Sequence, residues 1–172
     1  WQSGMFEYKI REEKFKTQGI EMLTHYVKSI IKSPPNVIAT ELNFTFQLND
    51  ISIAGTIDRL DKEDGIVITD YKTSKSSTKA KTSLQLAIYS LYLEQTEELV
   101  LKGIPKISKL YFLRDFEDPI REHAFSFDEL RNTEHKIIEV STGIRKKDFN
   151  PKKGNHCNWC DYKYLACPVW ED

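Results

Sequence analysis

Residues 55–73 read GTIDRLDKEDGIVITDYKT, and this stretch decides the fold and the chemistry expected of the chain. Apolar and β-branched residues stand on both sides of a polar segment, Lys62–Gly65, that ends in an Asp-Gly turn signal. The pattern predicts a hairpin of two short strands joined by a tight loop. Because strand side chains alternate between faces, Asp70 and Lys72 should share one face, with Tyr71 on the opposite one.

Asp58 lies on the neighbouring predicted strand and can reach the same face. Two carboxylates can hold Mg²⁺, which prefers oxygen ligands, and the backbone carbonyl of Tyr71 could be a third ligand. Such an ion polarises a scissile phosphate and acidifies an attacking water, while Lys72 would orient that water or stabilise the phosphate charge. Glu41, on the preceding strand, adds a carboxylate at the edge of this site. The hairpin alone is also compatible with cross-strand ion pairs on an ordinary exposed surface, including for Glu41.

The composition indicates one folded domain with its own core. The chain has 172 residues, of which 40% are hydrophobic and 30% charged, and this balance argues against a disordered protein. No run approaches the ~20 apolar residues of a membrane helix, and no secretory signal opens the chain, so we expect a cytoplasmic protein. The net charge of −1 requires a nucleic-acid binder to concentrate its positive charge locally. The chain opens on Trp1, so we expect a fragment of a longer protein.

Hydrophobic periodicity predicts alternating helices and strands. The predicted helices span about residues 6–31, 82–97 and 128–145, and the predicted strands about 37–48, 51–60, 65–72, 107–113 and 120–127. The first three strands should form an antiparallel meander, and Thr82 or Ser83 should cap the second helix. This order predicts a mixed α/β domain with helices flanking a central sheet. We expect residues 1–150 to form its core and residues 151–172 a cysteine-rich metal-binding tail of the same domain.

The hairpin belongs to a series of motifs along the chain. In order, they are Gln18-Gly19-x-x-x-Leu23-x-x-Tyr26, Glu41, Gly55-x-x-Asp58-Arg59, Asp70-Tyr71-Lys72-Thr73 and Gln85-x-x-x-Tyr89. Over about residues 15–168 the series resembles the PD-(D/E)XK nuclease superfamily in its RecB-like branch. The resemblance implies a restriction-endonuclease-like fold, in which a central mixed sheet is flanked by helices. It also implies a metal-dependent nuclease that acts on DNA.

The resemblance implies a role for each motif residue. Asp58 and Asp70 would bind Mg²⁺ or Mn²⁺, and Lys72 would be catalytic. Gln85 and Tyr89, one helical turn apart on one face, would contact DNA or brace the site; the alternative is an ordinary Gln and Tyr on a half-buried helix. The family usually has a further His ligand on an earlier helix. None of the four histidines here matches it, so this ligand is expected in sequence that precedes the fragment.

Positive charge is concentrated in the loop after the hairpin. Lys75, Lys79 and Lys81 follow Lys72 within ten residues, and we expect them to bind the DNA backbone. Further lysines flank the C-terminal cysteines and could line the same path; they are Lys146, Lys147, Lys152 and Lys153. A solvated basic surface is the alternative for these lysines.

Three cysteines in the C-terminal tail form a second candidate site. Cys157 and Cys160 have the x₂ spacing of metal ligands, and Cys167 follows six residues later. An odd, clustered set argues against a disulfide framework. The tail resembles the cysteine triad of iron–sulfur RecB-like nucleases, as in AddB-type helicase–nuclease subunits and CRISPR adaptation nucleases. The resemblance implies a structural [4Fe–4S] cluster, whose fourth cysteine is not in this chain; His156 could instead complete a Cys₃His zinc (Zn²⁺) site.

The sequence as a whole predicts a Mg²⁺- or Mn²⁺-dependent deoxyribonuclease. We expect an exonuclease of DNA repair, recombination or CRISPR adaptation, with DNA, a helicase or CRISPR adaptation proteins as partners and no membrane. One alternative is a catalytically inactive nuclease-fold domain that binds DNA or acts as a scaffold in a larger helicase–nuclease. A missing Asp or Lys at the hairpin would indicate this alternative, whereas Asp58, Asp70 and Lys72 are all present. A transferase or another enzyme with a zinc knuckle is a second alternative.

Overall fold

A mixed β-sheet organises the computed structural model, which describes residues 2–4, 8–75, 78–98 and 101–170. Within these ranges the sheet has five strands, β1 (Val37–Leu48), β2 (Ile51–Glu63), β3 (Gly65–Lys72), β4 (Ile107–Phe112) and β5 (Ile120–His123). The helices are α1 (Lys9–Lys32), α2 (Leu84–Gln95) and α3 (Phe127–Arg145), with short 3₁₀ helices at Ala80–Thr82 and Asn155–Trp159. This architecture confirms the predicted mixed α/β class and is consistent with a restriction-endonuclease-like fold.

The strands follow one another across the sheet in chain order, from β1 to β5. β1, β2 and β3 pair antiparallel, which confirms the predicted meander, and β5 pairs antiparallel with β4. β3 and β4 are parallel, with Val67 opposite Ile107 and Lys72 opposite Phe112. Parallel neighbours require a crossover connection, and α2 lies within that connection. The chain that leaves β3 after Lys72 therefore continues into the connection that contains α2.

The two faces of the sheet are covered by different helices. α2 packs on one face, where Ser90 Oγ lies 3.2 Å from Ser108 Oγ of β4. The buried residues of α2 are Leu86, Ala87, Tyr89, Ser90, Leu91 and Leu93. α1 lies on the other face, which we call the reverse face: the ring of Tyr26 packs edge-on against Tyr71 and Tyr111, at centroid distances of 5.3 and 5.4 Å. Since Tyr71 and Tyr111 are paired across β3 and β4, they point to the same side.

Local capping explains where the helices begin. Ser83 precedes α2, and its hydroxyl accepts a hydrogen bond from the Leu86 backbone N–H, as predicted. Ser126 and Glu129 form a reciprocal capping box at the start of α3. This cap starts α3 at Phe127, so β5 ends at His123 rather than near residue 127. α1 is described from Lys9, and its expected start near residue 6 lies outside the described residues.

The chain divides into two units, residues 1–134 and 135–172. The expected boundary between core and tail at residue 150 stays a prediction.

In the second unit the ring of Trp170 is contacted by two lysine ammonium groups, at 4.2 Å from Lys153 and 4.5 Å from Lys163. No helix in the described ranges is long and apolar enough to span a membrane.

Candidate active site

The site lies where the pairing between β2 and β3 ends. The last backbone pair is Arg59 with Thr69, so Asp58 and Asp70 face each other just past the end of the ladder. The Tyr71 backbone N–H donates to Asp58 Oδ2 at 2.8 Å instead of pairing with a backbone carbonyl of β2. This hydrogen bond places the Asp58 carboxylate between the two strands as they separate.

Asp70 is a buried carboxylate beside a lysine. Its side chain is 2% exposed, and its Oδ2 lies 2.6 Å from Lys72 Nζ, which confirms that the two side chains share a face. Among the described residues, Oδ2 has this ion pair and no further hydrogen bond. Burial raises the pKa of Asp70 above its ordinary value; Lys72 opposes the shift and the charge on Asp58 adds to it.

A chain of side chains connects Lys72 to α2. Lys72 Nζ donates to Gln85 Oε1 at 2.7 Å, and Gln85 Nε2 donates to Tyr89 Oη at 2.6 Å. Gln85 and Tyr89 are four residues apart on α2, so both point to the same side of the helix. Gln85 therefore holds the ammonium group of Lys72, and Tyr89 holds the amide of Gln85. This geometry fits the bracing role, and both roles that the sequence left open for Gln85 and Tyr89 stay predictions.

The third candidate carboxylate, Glu41, lies opposite Asp58 at a position where the β1–β2 ladder omits one pair. Its φ of 49° is in the left-handed region, an uncommon conformation for a non-glycine residue within a strand. Burial is the main reason why the pKa of Tyr89 is raised, and the charges of Asp70, Asp58 and Glu41 raise it further. All three carboxylates therefore act on the Tyr89 hydroxyl through their charge.

The residues present fit a hard divalent cation. Mg²⁺ commonly takes one or two protein carboxylates and fills its other positions with water and substrate phosphate oxygens. Asp70 Oδ2 is a buried carboxylate oxygen without a hydrogen bond from the described residues, and Asp58 lies beside it. Within the described ranges no three His, Cys, Asp or Glu side chains lie close enough to form a complete metal-binding group. The site thus offers a pair of carboxylates rather than an all-protein cage.

A cleft of about 500 Å³ opens beside this site, between α2 and the β1–β2 hairpin. Gly55, Thr56, Gln85 and Tyr89 are among the residues that line it. Gly55 is needed there because the ring of Phe44 lies over it: a Cβ at position 55 would be 2.7 Å from Phe44 Cζ. The motif glycine thus allows the ring to fill the space between the hairpin and α2.

The reverse face holds residues whose contribution the sequence analysis missed. Arg59 Nη1 donates to Tyr26 Oη at 2.9 Å and to Tyr71 Oη, and the two tyrosine hydroxyls bond each other. Arg59 also forms an ion pair with Asp61, which is 1% exposed, at 3.0 Å. Arg59 and Tyr71 directly follow Asp58 and Asp70 in sequence, so strand alternation was the signal that could have placed them together.

The lysines proposed to bind DNA lie after the end of β3. Lys75, Lys79 and Lys81 are exposed, and Lys81 Nζ is 3.8 Å from Glu129 Oε1. They follow Lys72 in the segment that leads into α2, so this part of the chain brings positive charge to the same end of the sheet as the carboxylates. Their contact with DNA stays a prediction.

The three cysteines of the tail are not gathered into a metal-binding group among the described residues. Cys157, Cys160 and Cys167 are free and partly exposed, and they belong to no metal-binding group within the described ranges. Cys157 Sγ accepts a hydrogen bond from the Gly154 N–H at 3.4 Å. The His156 ring packs over Gly154, where a Cβ would be 2.8 Å from its Cε1, instead of joining the thiols. The [4Fe–4S] cluster and the zinc alternative are therefore without structural support.

Comparisons with known proteins agree with this geometry. The sequence model of the PD-(D/E)XK nuclease superfamily matches residues 3–168. The crystal structure of SSO0001 is similar to this chain, with a TM-score of 0.55 and 17% sequence identity over 94% of this chain and 80% of that one. At this identity the likeness concerns the fold alone. No curated protein matches the sequence.

Proposed function

The chain belongs to the PD-(D/E)XK nuclease superfamily, and from this premise we propose that it is a Mg²⁺- or Mn²⁺-dependent deoxyribonuclease. One observation supports the proposal most directly. Asp70 places a buried carboxylate oxygen without a hydrogen bond beside Asp58 and 2.6 Å from the ammonium group of Lys72. Lys72 compensates part of the free-energy cost of burying this carboxylate, whereas burial and the charge on Asp58 still raise its pKa. A bound divalent cation would compensate the remaining cost, and perturbed carboxylates of this kind are characteristic of functional sites.

Asp58, Asp70 and the backbone carbonyl of Tyr71 would hold the ion. When bound, Mg²⁺ or Mn²⁺ would polarise the scissile phosphate and acidify the attacking water. The Lys72 side chain, which lies beside the Asp70 carboxylate, would stabilise negative charge that develops on the phosphate. Gln85 fixes the direction of the Lys72 ammonium group, because its Oε1 accepts one of the three N–H bonds. Glu41 would add a further carboxylate at the edge of the site.

The substrate we propose is linear DNA, degraded from an end. Lys75, Lys79 and Lys81 would contact the phosphate backbone, and the cleft beside Gln85 and Tyr89 would take the strand that is cut. A protein with a net charge of −1 depends on such a local cluster to bind a polyanion. We place the activity in DNA repair, recombination or CRISPR adaptation, beside a helicase or CRISPR adaptation proteins. The RecB-like branch is part of this proposal.

The test is cleavage of end-labelled linear DNA, single- and double-stranded, with Mg²⁺, with Mn²⁺ and with EDTA. A covalently closed circle of the same sequence distinguishes cutting from ends and internal cutting. Asp70→Asn and Lys72→Met remove the two groups that the mechanism needs. Asp64→Asn is the matched control for the carboxylate, because Asp64 lies in the same hairpin, is 98% exposed and forms its ion pair with Lys106 rather than with a residue of the site.

We expect metal-dependent loss of linear DNA by the wild type and by Asp64→Asn, an intact circle, and no loss by either site variant. Circular dichroism should show that the variants are folded. Binding of DNA without cleavage by the wild type in either metal would contradict the nuclease and favour the inactive DNA-binding domain. Cleavage retained by both site variants would contradict the assignment of the site.

The lysine segment can be tested by the salt dependence of binding. Each phosphate contact that is lost should reduce the slope of log K against log salt by about 0.9 for duplex DNA. Lys75→Gln combined with Lys79→Gln should therefore weaken binding and reduce the slope by about 2. An unchanged slope would show that these lysines belong to an ordinary solvated surface.

The cysteine tail requires its own measurement, which is the metal content of protein purified without oxygen. About four irons per chain would support the proposed [4Fe–4S] cluster, and about one zinc would support the Cys₃His alternative with His156. Less than stoichiometric iron and zinc would refute both. Cys160→Ser is the matched variant, and it should lose the metal that the wild type contains.

A further inference from the structure

We propose that Arg59, Tyr71 and Tyr26, here called the reverse-face clamp, are positioning residues that set the separation of the metal-binding carboxylates Asp58 and Asp70. This inference rests on the proposed function of that site. The clamp residues do not line the cleft beside Gln85 and Tyr89, but they line a neighbouring pocket together with Asp58 and Glu41. The clamp would act on the two carboxylates through the backbone of β2 and β3.

The clamp follows from strand alternation at two neighbouring positions. Asp58 is followed by Arg59 and Asp70 by Tyr71, and each second residue lies on the reverse face of the sheet. Arg59 Nη1 donates to the Tyr71 hydroxyl, and its guanidinium carbon lies 5.5 Å from the centre of the Tyr71 ring. The two strands that hold the carboxylates are thus joined by side chains one residue away from each carboxylate.

This junction lies where the backbone no longer joins the strands. The β2–β3 ladder ends at the pair Arg59–Thr69, and beyond it the structure has the bond from the Tyr71 N–H to Asp58 Oδ2. Arg59 Nη2 also reaches Thr69 Oγ1 at 3.4 Å. Beyond the last ladder pair, the contacts of Arg59 with Tyr71 and Thr69 and the bond from the Tyr71 N–H to Asp58 Oδ2 thus join the two strands beside Asp58 and Asp70.

The clamp is itself fixed from two sides. Asp61, at 1% exposure, accepts from Arg59 Nε at 3.1 Å and holds the guanidinium against the sheet. Tyr26 of α1 bonds both Arg59 and Tyr71, so it defines the position of the pair from the helix. A charge-assisted network of this kind holds its members more firmly than single hydrogen bonds do.

Removing one hydroxyl from the clamp should therefore loosen the carboxylate pair without unfolding the sheet. The Tyr71 peptide would gain freedom, and its N–H holds Asp58 while its carbonyl is the third proposed ligand. Partners that orient metal ligands without touching the metal commonly change metal affinity or activity by about 10- to 100-fold. A residue with a purely structural role would lower the melting temperature and leave the metal affinity of the folded protein unchanged.

Tyr71→Phe tests the clamp, and Tyr111→Phe is its matched control. Tyr111 is on the same face and its ring packs on Tyr26, but its hydroxyl contacts Ser29 Oγ at 3.1 Å rather than Arg59 or Tyr71. Binding of Mn²⁺ to each protein is measured by titration calorimetry without DNA. The Mn²⁺ concentration that gives half-maximal cleavage and the melting temperature are measured alongside.

We expect Tyr71→Phe to weaken Mn²⁺ binding by about tenfold, to raise the half-maximal Mn²⁺ concentration by a similar factor and to recover most activity at saturating metal. Tyr111→Phe should match the wild type in both readouts. Tyr26→Phe removes a clamp hydroxyl from α1 and should act in the same direction, which keeps the test valid if Tyr71→Phe does not fold.

Mn²⁺ affinity that is equal in the wild type, Tyr71→Phe and Tyr26→Phe would overturn the clamp and leave the nuclease intact. Equal weakening by Tyr111→Phe would also overturn it, since the effect would then belong to the whole face. A wild-type protein that neither binds Mn²⁺ nor cleaves DNA would overturn the proposed function itself, and the clamp with it.

Discussion

Gly55→Ala should destabilise the protein through one aromatic ring. Gly55 pairs with Phe44 across β1 and β2, and an added Cβ would be 2.7 Å from Cζ and 2.9 Å from Cε1 of that ring. The ring cannot move freely, because it stacks on Tyr92 at 4.7 Å and packs edge-on against Tyr89 at 5.7 Å. Phe44 is 5% exposed, so its ring occupies a buried site.

Overpacking of a buried site costs about 1–3 kcal/mol. For a chain of this length each kcal/mol corresponds to about 2–4 °C in Tm, so we expect a fall of about 2–12 °C. A displaced ring would also press on Tyr89, which orients Gln85 and through it Lys72. Cleavage should therefore decrease by more than the folded fraction of the variant accounts for.

The assay is urea unfolding of Gly55→Ala, Phe44→Leu and the double variant, with DNA cleavage measured on each. Leucine lacks the ring atoms that lie over position 55, so the double variant should be more stable than the sum of the two single costs predicts. The coupling free energy should be at least about 1 kcal/mol, within the range found for residues in contact. Costs that add within about 0.5 kcal/mol would refute the steric explanation.

Three further predictions concern single positions. Gly19→Ala should raise the free energy of unfolding in urea by about 0.5–1 kcal/mol, because Gly19 is inside α1 and an added Cβ would lie in open space. A loss of stability would contradict this. In EDTA, Asp70→Asn should gain stability relative to wild type as the pH rises. Burial raises the pKa of Asp70, so the stability that its protonated carboxyl contributes is fully present below the ordinary pKa of 3.8 and is lost as the pH rises through the raised pKa. A difference that does not vary with pH would contradict this. Arg59→Met should lower the free energy of unfolding by about 3–5 kcal/mol, because it removes the arginine that pairs with the buried carboxylate of Asp61. Adding Asp61→Asn should restore part of this stability. If it restores none, the loss does not come from the broken ion pair.

The parts of the site that depend on local order along the chain could be predicted from sequence. Alternation within a strand is a local property, and it placed Asp70 and Lys72 on one face of β3. The β1–β2–β3 meander follows from short connections between strong strand patterns. The cap at Ser83 was recognisable because a serine just before a helix satisfies a free backbone N–H.

The parts that depend on distant pairing could not be predicted in the same way. Tyr26 and Tyr71 are 45 residues apart, and sequence does not say which helix covers the reverse face. The contact between Lys72 and Gln85 depends on how the connection after β3 turns into α2. The β2–β3 pairing ends beside Asp58, and the alternation of apolar and polar residues along a strand does not indicate where its pairing with a neighbour ends.

The irregularity of β1 has a consequence for solubility. β1 is a 12-residue strand at one edge of the sheet, and a long regular edge presents free N–H and C=O groups to which a strand of another molecule can pair. In β1 the register shifts between Val37 and Ala39, and Glu41 adopts its left-handed conformation two residues later. These interruptions bend the edge and place a charge on it, which opposes strand addition. The same backbone departure that places Glu41 opposite Asp58 thus makes this stretch of the edge a poor template for intermolecular β-aggregation.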